Sequence, residues 1–183
     1  MPKGKLLQKV EGMKQFVALA VVDSAKYHAT NTNIIKELTS NGIPGVYVTL
    51  NKPFETLKNS LSKKGVDLSN IIFIDAVTKT VGGKVTKKKE CLFIGSPDNL
   101  SDISVSMDQA IMAIPTKDKF LFFDSLSTLL LYNNVNVVAK FIHFLSGKMR
   151  VWKVKGIIIS LRKKKDKELI DELTEYCDVT LKL

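Results

Sequence analysis

The sequence predicts a three-layer α/β/α sandwich around a mainly parallel sheet, and three observations carry that prediction. Short apolar runs alternate along the whole chain with segments whose apolar residues recur at helical spacing, and strands joined by helical crossovers must run parallel. The runs are continuous rather than alternating, as strands buried on both faces are. Several end in an acid, at the carboxyl edge where a parallel sheet meets its ligands.

Taken in order, Phe16–Val22 is an unbroken apolar run and gives the first strand. From about Thr30 to Asn41, the apolar residues Ile34, Ile35 and Leu38 fall at helical spacing, and Gly42 follows where a left-handed C-cap belongs. Gly45–Leu50 is β-branched and aromatic, a second strand. Pro53 then opens a helix whose Phe54, Leu57 and Leu61 share a face until Gly65 ends it. Ile71–Asp75 is a third strand. After a long insertion, Leu100, Ile103, Met107, Ile111 and Ile114 mark a helix capped by Asn99 or Ser101. Lys119–Asp124 forms the next strand, Val138, Phe141, Ile142, Leu145 and Met149 stripe a further helix, and Gly156–Leu161 is again a strand. Asp166 caps a helix carrying Leu169, Ile170 and Leu173, and Val179–Leu181 completes the pattern.

The 183 residues are 45% hydrophobic and 25% charged, which excludes the disordered and fibrous classes and suits one globular domain. No linker, repeat or shift of composition divides the chain, so residues 16–183 read as a single domain behind a basic leader, residues 1–15, loosely tethered and in part helical. Lys and Arg number 28 against 18 Asp and Glu, a formal charge of +10. Such a balance suits nucleic acid, an acidic membrane surface or plain solubility, and alone names no partner. Phe16–Val22 is far too short to cross a bilayer, and the following Asp23-Ser24-Ala25-Lys26 lacks the cleavage context of a signal peptide. A cytoplasmic protein with no membrane insertion is therefore expected. Cys91 and Cys177 are the only cysteines, without a CxxC or Cys/His cluster, which predicts two reduced, buried thiols and neither a disulfide framework nor a metal site.

Ligands of a parallel sheet bind beyond the carboxyl ends of its strands. There the sequence places Asp23-Ser24, Asp75 and Asp124-Ser125, with Thr49-Leu50-Asn51-Lys52 after the second strand. An apolar strand ending in Asp, such as Phe120–Asp124, is how a P-loop nucleotidase presents its magnesium-organising acid. A buried strand also ends in Asp when the carboxylate caps the following turn.

Gly42-Ile43-Pro44-Gly45-Val46-Tyr47-Val48-Thr49-Leu50 followed by Pro53, together with Lys119–Leu130, resembles the RecA-superfamily ATPases of the KaiC-like kind, and more closely a small archaeal group among them. The first stretch is similar to the second strand of those domains, and Asp124-Ser125-Leu126-Ser127 to their Walker B end. The likeness extends from Phe16–Val22 to Gly156–Leu161 and implies a RecA-like fold with a degenerate nucleotide site. Where those ATPases carry GxxxxGK[ST], this chain reads Asp23-Ser24-Ala25-Lys26-Tyr27-His28-Ala29-Thr30. The glycines of that loop let successive N–H groups close around phosphates, and its lysine supplies charge near the transferred group. Lys26 has no glycine before it, and Tyr27 and His28 put rings where phosphate oxygens lie in the relatives. KaiC-like domains also carry acids after the second strand to activate the attacking water; here those positions read Asn51-Lys52, an amide and a cation that cannot serve as that base. Phosphoryl transfer rests on positioning and electrostatics, so losing cradle and base together leaves little mechanism even with Asp124 kept.

Two basic clusters lie in predicted loops: Lys84, Lys87, Lys88 and Lys89 in the insertion, and Arg162, Lys163, Lys164 and Lys165 after Gly156–Leu161. If both project from the carboxyl face they form one rim for the phosphates of a nucleic acid or another polyanion. No aromatic residues interleave them for base stacking, and two solvated loops are the plain alternative. Trp152, amid Lys148, Arg150, Lys153 and Lys155, is a better candidate for a mixed aromatic and basic contact surface, and equally a candidate protein interface, since this region often lies near a subunit boundary in the RecA-like domains the chain resembles. His28, with Asp23, Ser24 and Asp124, either holds a metal or small ligand or plugs the old pocket; His143 lies beside an apolar stripe. No Ser-His-Asp spacing or GxSxG elbow points to hydrolase chemistry.

The expectation is a pseudo-ATPase of RecA-like fold: a non-catalytic regulatory or scaffolding module for a protein partner or for self-association, in a KaiC-like signalling or assembly system, with no cofactor. Two alternatives stand beside it. One is a noncanonical nucleotide binder or weak ATPase holding Mg-ATP through Lys26, Ser24 and Asp124. The other is a basic nucleic-acid-binding module.

Overall fold

The computed structural model describes residues 4–163 and 166–183. Its strands are β1 (Phe16–Val22), β2 (Gly45–Thr49), β3 (Ile71–Asp75), β4 (Cys91–Phe93), β5 (Phe120–Asp124), β6 (Lys155–Leu161) and β7 (Val179–Lys182). They form one sheet in the order β4-β3-β2-β5-β6-β1-β7, and every pair of neighbours is parallel. The helices are α1 (Lys5–Lys9), α2 (Tyr27–Ser40), α3 (Phe54–Lys63), α4 (Leu100–Ala113), α5 (Leu126–Tyr132), α6 (Val135–Val151) and α7 (Lys167–Thr174).

The sheet separates two cores, which explains why its central strands are apolar along most of their length. Along β1, Val17, Leu19 and Val21 join one cluster with residues of α4 to α7, while Phe16, Ala18, Ala20 and Val22 join another with residues of α1 to α3. Successive side chains of a strand point to opposite faces, so a strand covered twice must be apolar throughout. The predicted sandwich is the observed one. Gly42 and Gly65 both take positive φ, at 71° and 72°, just past the ends of α2 and α3, where a left-handed residue closes a helix. Of the two offered caps for α4, Asn99 acts: its Oδ1 accepts the N–H of Asp102.

Several expectations need correction. β4 lies inside the insertion read as a loop; it is three residues long at the sheet edge, with Cys91 buried and Leu92 and Phe93 half-buried, too short to show a period. α5 was not predicted, because Leu126–Tyr132 is apolar nearly all round and has no side-chain cap. α2 starts at Tyr27 rather than near Thr30. Asp166 stands at the N-cap of α7 but its side chain makes no capping bond. The leader is packed rather than loosely tethered: Leu6 and Val10 are buried in the α1–α3 core, and Gly4 N–H donates to Glu37. Cys91 is buried but Cys177 only half so, and both thiols are free. Among the described residues no helix is long and apolar enough to cross a membrane.

Candidate functional site

The β2–β5 register sets Thr49 beside Asp124 at the carboxyl edge of the sheet. The chain then turns, with Leu50 N–H donating to the Asp124 carbonyl at 2.8 Å, and this brings Asn51 over the acid. From the other side α2 leads in with Tyr27, the first residue after the turn closed by Lys26 N–H on the Asp23 carbonyl. Three donors converge on the Asp124 carboxylate. The Tyr27 hydroxyl donates to Oδ1, the Tyr47 hydroxyl to Oδ2 at 2.7 Å, and Asn51 Nδ2 to Oδ1 at 3.0 Å. Asn51 is itself held, its Nδ2 donating to the Tyr27 oxygen at 2.6 Å and its Oδ1 accepting from Thr128, which in turn meets Ser125 Oγ at 3.1 Å.

Asp124 is 4% exposed. Burial pushes its carboxyl above the ordinary range, and the hydrogen bonds from Tyr27, Tyr47 and Asn51 oppose that rise. Both tyrosine hydroxyls are pushed up, first by burial and then by the neighbouring Asp124 charge, so they stay protonated donors. A cleft of about 80 Å³ opens beside this network between α2 and α3, lined by His28, Asn31, Lys52 and Lys64 among others. His28 is exposed at its mouth; desolvation, Lys52 and Lys64 lower its pKa and Asp124 works against them.

Asp75 shows the other use of a strand-terminal acid. It is wholly buried and accepts the N–H groups of Phe54 at 2.7 Å, Val77 at 2.7 Å and Thr78 at 2.8 Å, with the Thr78 hydroxyl at 2.5 Å. It caps α3 and the turn after β3, a structural role.

The remaining candidates are scattered. Asp23 turns away to Arg162, 3.1 Å between Oδ1 and the guanidinium, while Ser24 and Lys26 are exposed. Lys88 pairs with Glu55 at 2.6 Å, Lys87 is exposed, and Lys89 lines a groove near the amino ends of β3 and β4. Arg162 follows the carboxyl end of β6 and is engaged by Asp23, and Lys163 is half-buried; Lys164 and Lys165 lie outside the described residues. Trp152 is half-buried and its Nε1 donates to Asp108 at 3.0 Å. His143 packs on Tyr176, ring centroids 4.4 Å apart. No cluster of three or more metal-ligating side chains occurs among the described residues.

Sequence reasoning missed Tyr47, Thr128 and Asn31. Tyr47 carried a signal, a hydroxyl in the middle of a fully buried strand that must find a partner. Thr128 and Asn31 sit on helices and become site residues only once β2, β5 and α2 are assembled.

The family model for the KaiC ATPase matches residues 19–183. Among solved structures, the chain is similar to a KaiC-like protein of the hyperthermophilic archaeon Pyrococcus horikoshii OT3, with a TM-score of 0.66 and 18% identity over 92% of this chain and 73% of that one. It is also similar to an uncharacterized protein of Pyrococcus horikoshii in complex with an unknown peptide, with a TM-score of 0.70 and 13% identity over 97% of this chain and 81% of that one. At such identities the likeness is one of fold. No curated protein matches the chain.

Proposed function

The chain belongs to the KaiC ATPase family, and from that premise we propose that it is a pseudo-ATPase, a non-catalytic domain that keeps the RecA-like fold and serves as a regulatory or scaffolding module for a protein partner. The observation that carries this reading is the engagement of Asp124. In a P-loop nucleotidase that acid and a loop hydroxyl hold magnesium. Here the hydroxyl of Tyr27 bonds the acid itself, joined by Tyr47 and Asn51, and the carboxylate is 4% exposed.

The surrounding residues suit a magnesium-bound triphosphate poorly. Asp23–Lys26 between β1 and α2 contains no glycine, and its turn is closed by Lys26 N–H on the Asp23 carbonyl, so it lacks the glycine-rich loop whose successive N–H groups wrap a phosphate. Asn51, where the relatives keep an acid, serves as a clasp between Tyr27, Asp124 and Thr128. A role in protein binding is further supported by the similar Pyrococcus horikoshii protein found in complex with an unknown peptide.

Phosphate release from ATP tests the reading. The purified chain should show no turnover above that of its Asp124→Asn variant. Turnover that disappears with Asp124→Asn would return the chain to the enzymes.

A further inference from the structure

Among the described residues, the exposed large apolar side chains concentrate on α4, α5 and α6. On α6, Val137, Phe144 and Val151 are exposed and recur every seven residues. They therefore line up along about 21 Å of one helix face. α4 lies alongside. Its Asp108 takes Lys148 Nζ at 2.8 Å and Trp152 Nε1 at 3.0 Å, and Val105 and Met112, one turn to either side of Asp108, are 55% and 80% exposed. The two helices thus present one apolar face around a neutralised ion pair, and Trp152 braces it from below.

A second observation marks the same face. Gly147 sits inside α6, between Phe144 and Val151, and is exposed. A Cβ there would meet nothing within 4 Å, so nothing in this chain's own packing requires a glycine. Glycine weakens a helix interior relative to alanine. A glycine there leaves room for another backbone to approach closely.

Charge selects the occupant. α6 carries Lys140, His143, Lys148 and Arg150 and no acid. Lys148 and Arg150 are answered by Asp108 and Asp178, while Lys140, which shares a shallow groove with Glu172 of α7, and Lys153, just beyond the helix, are exposed. A second copy is disfavoured, because Lys140 and Lys148 lie four residues to either side of Phe144. Antiparallel pairing about that ring sets Lys140 against a Lys148 already taken by Asp108, and parallel pairing sets Lys140 against Lys140, so neither offers Lys140 a free acid. We propose that the α4–α6 face is the docking surface for an acidic amphipathic helix of a partner protein, about four turns long, seated against Phe144 and Gly147. This rests on the interaction-module reading and names its surface.

The test uses the full chain and a fluorescein-labelled, N-acetylated amphipathic peptide about 21 residues long, with leucines at helical spacing and glutamates elsewhere; a lysine-for-glutamate version is the control. Anisotropy should show saturable binding of the acidic peptide, weakening with salt, and none of the basic one. Phe144→Ser should weaken binding at least tenfold. Gly147→Leu should do the same while leaving the melting temperature equal or higher, since leucine is the better helix former, which separates a blocked surface from a damaged fold. Absence of saturable binding, equal binding of the basic peptide, or indifference to both substitutions would overturn the proposal. So would a dimer in sedimentation that Phe144→Ser dissociates, which would give the face to a second copy. None of these outcomes changes ATP turnover, and Asp124-dependent turnover would sink the pseudo-ATPase reading without touching this face.

Discussion

Replacing Tyr47 with Phe deletes one oxygen from a position that is 1% exposed and changes nothing else in shape. That oxygen donates to Asp124 Oδ2 at 2.7 Å, and Asp124 is almost wholly buried. A hydrogen bond to a charged group is worth about 1.5–3 kcal/mol, and a buried acceptor left short of its donor carries its desolvation cost. Tyr47→Phe should thus destabilise the chain by about 1.5–3 kcal/mol, a fall in Tm of roughly 3–12 °C at this chain length. Tyr27→Phe should cost less, because Asn51 still donates to the same Oδ1. Urea denaturation of wild type and variants gives the values, and repeating Tyr47→Phe in an Asp124→Ala background isolates the pair. In that background the cost should drop below about 0.5 kcal/mol, the size of an uncoupled effect. An equal cost in both backgrounds, or none in either, would refute the view that the hydroxyl serves the acid.

Asp75→Ala strips the cap from α3 and leaves the buried Phe54 N–H without its acceptor; it should cost about 3 kcal/mol in the same denaturation experiment, and ATP turnover should stay where it was. His28 titrates below its ordinary value of 6.5 because of desolvation and its lysine neighbours. The folded state thus binds that proton less readily than the unfolded chain, and the stability it contributes above 6.5 is lost as pH falls through the lowered folded value. Thermal melts between about pH 7 and pH 5 should show a shallower decline for His28→Gln than for wild type. An unchanged decline would remove His28 from the explanation.

The strands were legible because burial on both faces leaves no choice of residue, as in Phe120–Asp124 and Gly45–Thr49. Helix ends were legible where backbone geometry demands glycine, at Gly42 and Gly65. β4 was not, since three residues at the sheet edge carry no period, and neither was α5, whose apolar run reads equally as strand or helix. The sequence placed Asp124, Tyr27 and Asn51 at one edge of the sheet, but could not say that they bond. That depends on the β2–β5 register and the turn after Thr49, which join residues 73 and 97 positions apart. The pairing of Asp23 with Arg162 was hidden for the same reason, and it joins two groups that motif reading had assigned to different sites.

The most direct measurement is calorimetric titration of the chain with Mg-ATP and Mg-ADP at low ionic strength, with Asp124→Ala alongside. A carboxylate closed by two tyrosines and an amide, beside a loop without glycine, predicts no heat of binding and no thermal stabilisation by either nucleotide. Saturable heat that vanishes in Asp124→Ala would contradict it, and would mean that Tyr27 and Asn51 move aside to release the acid for magnesium.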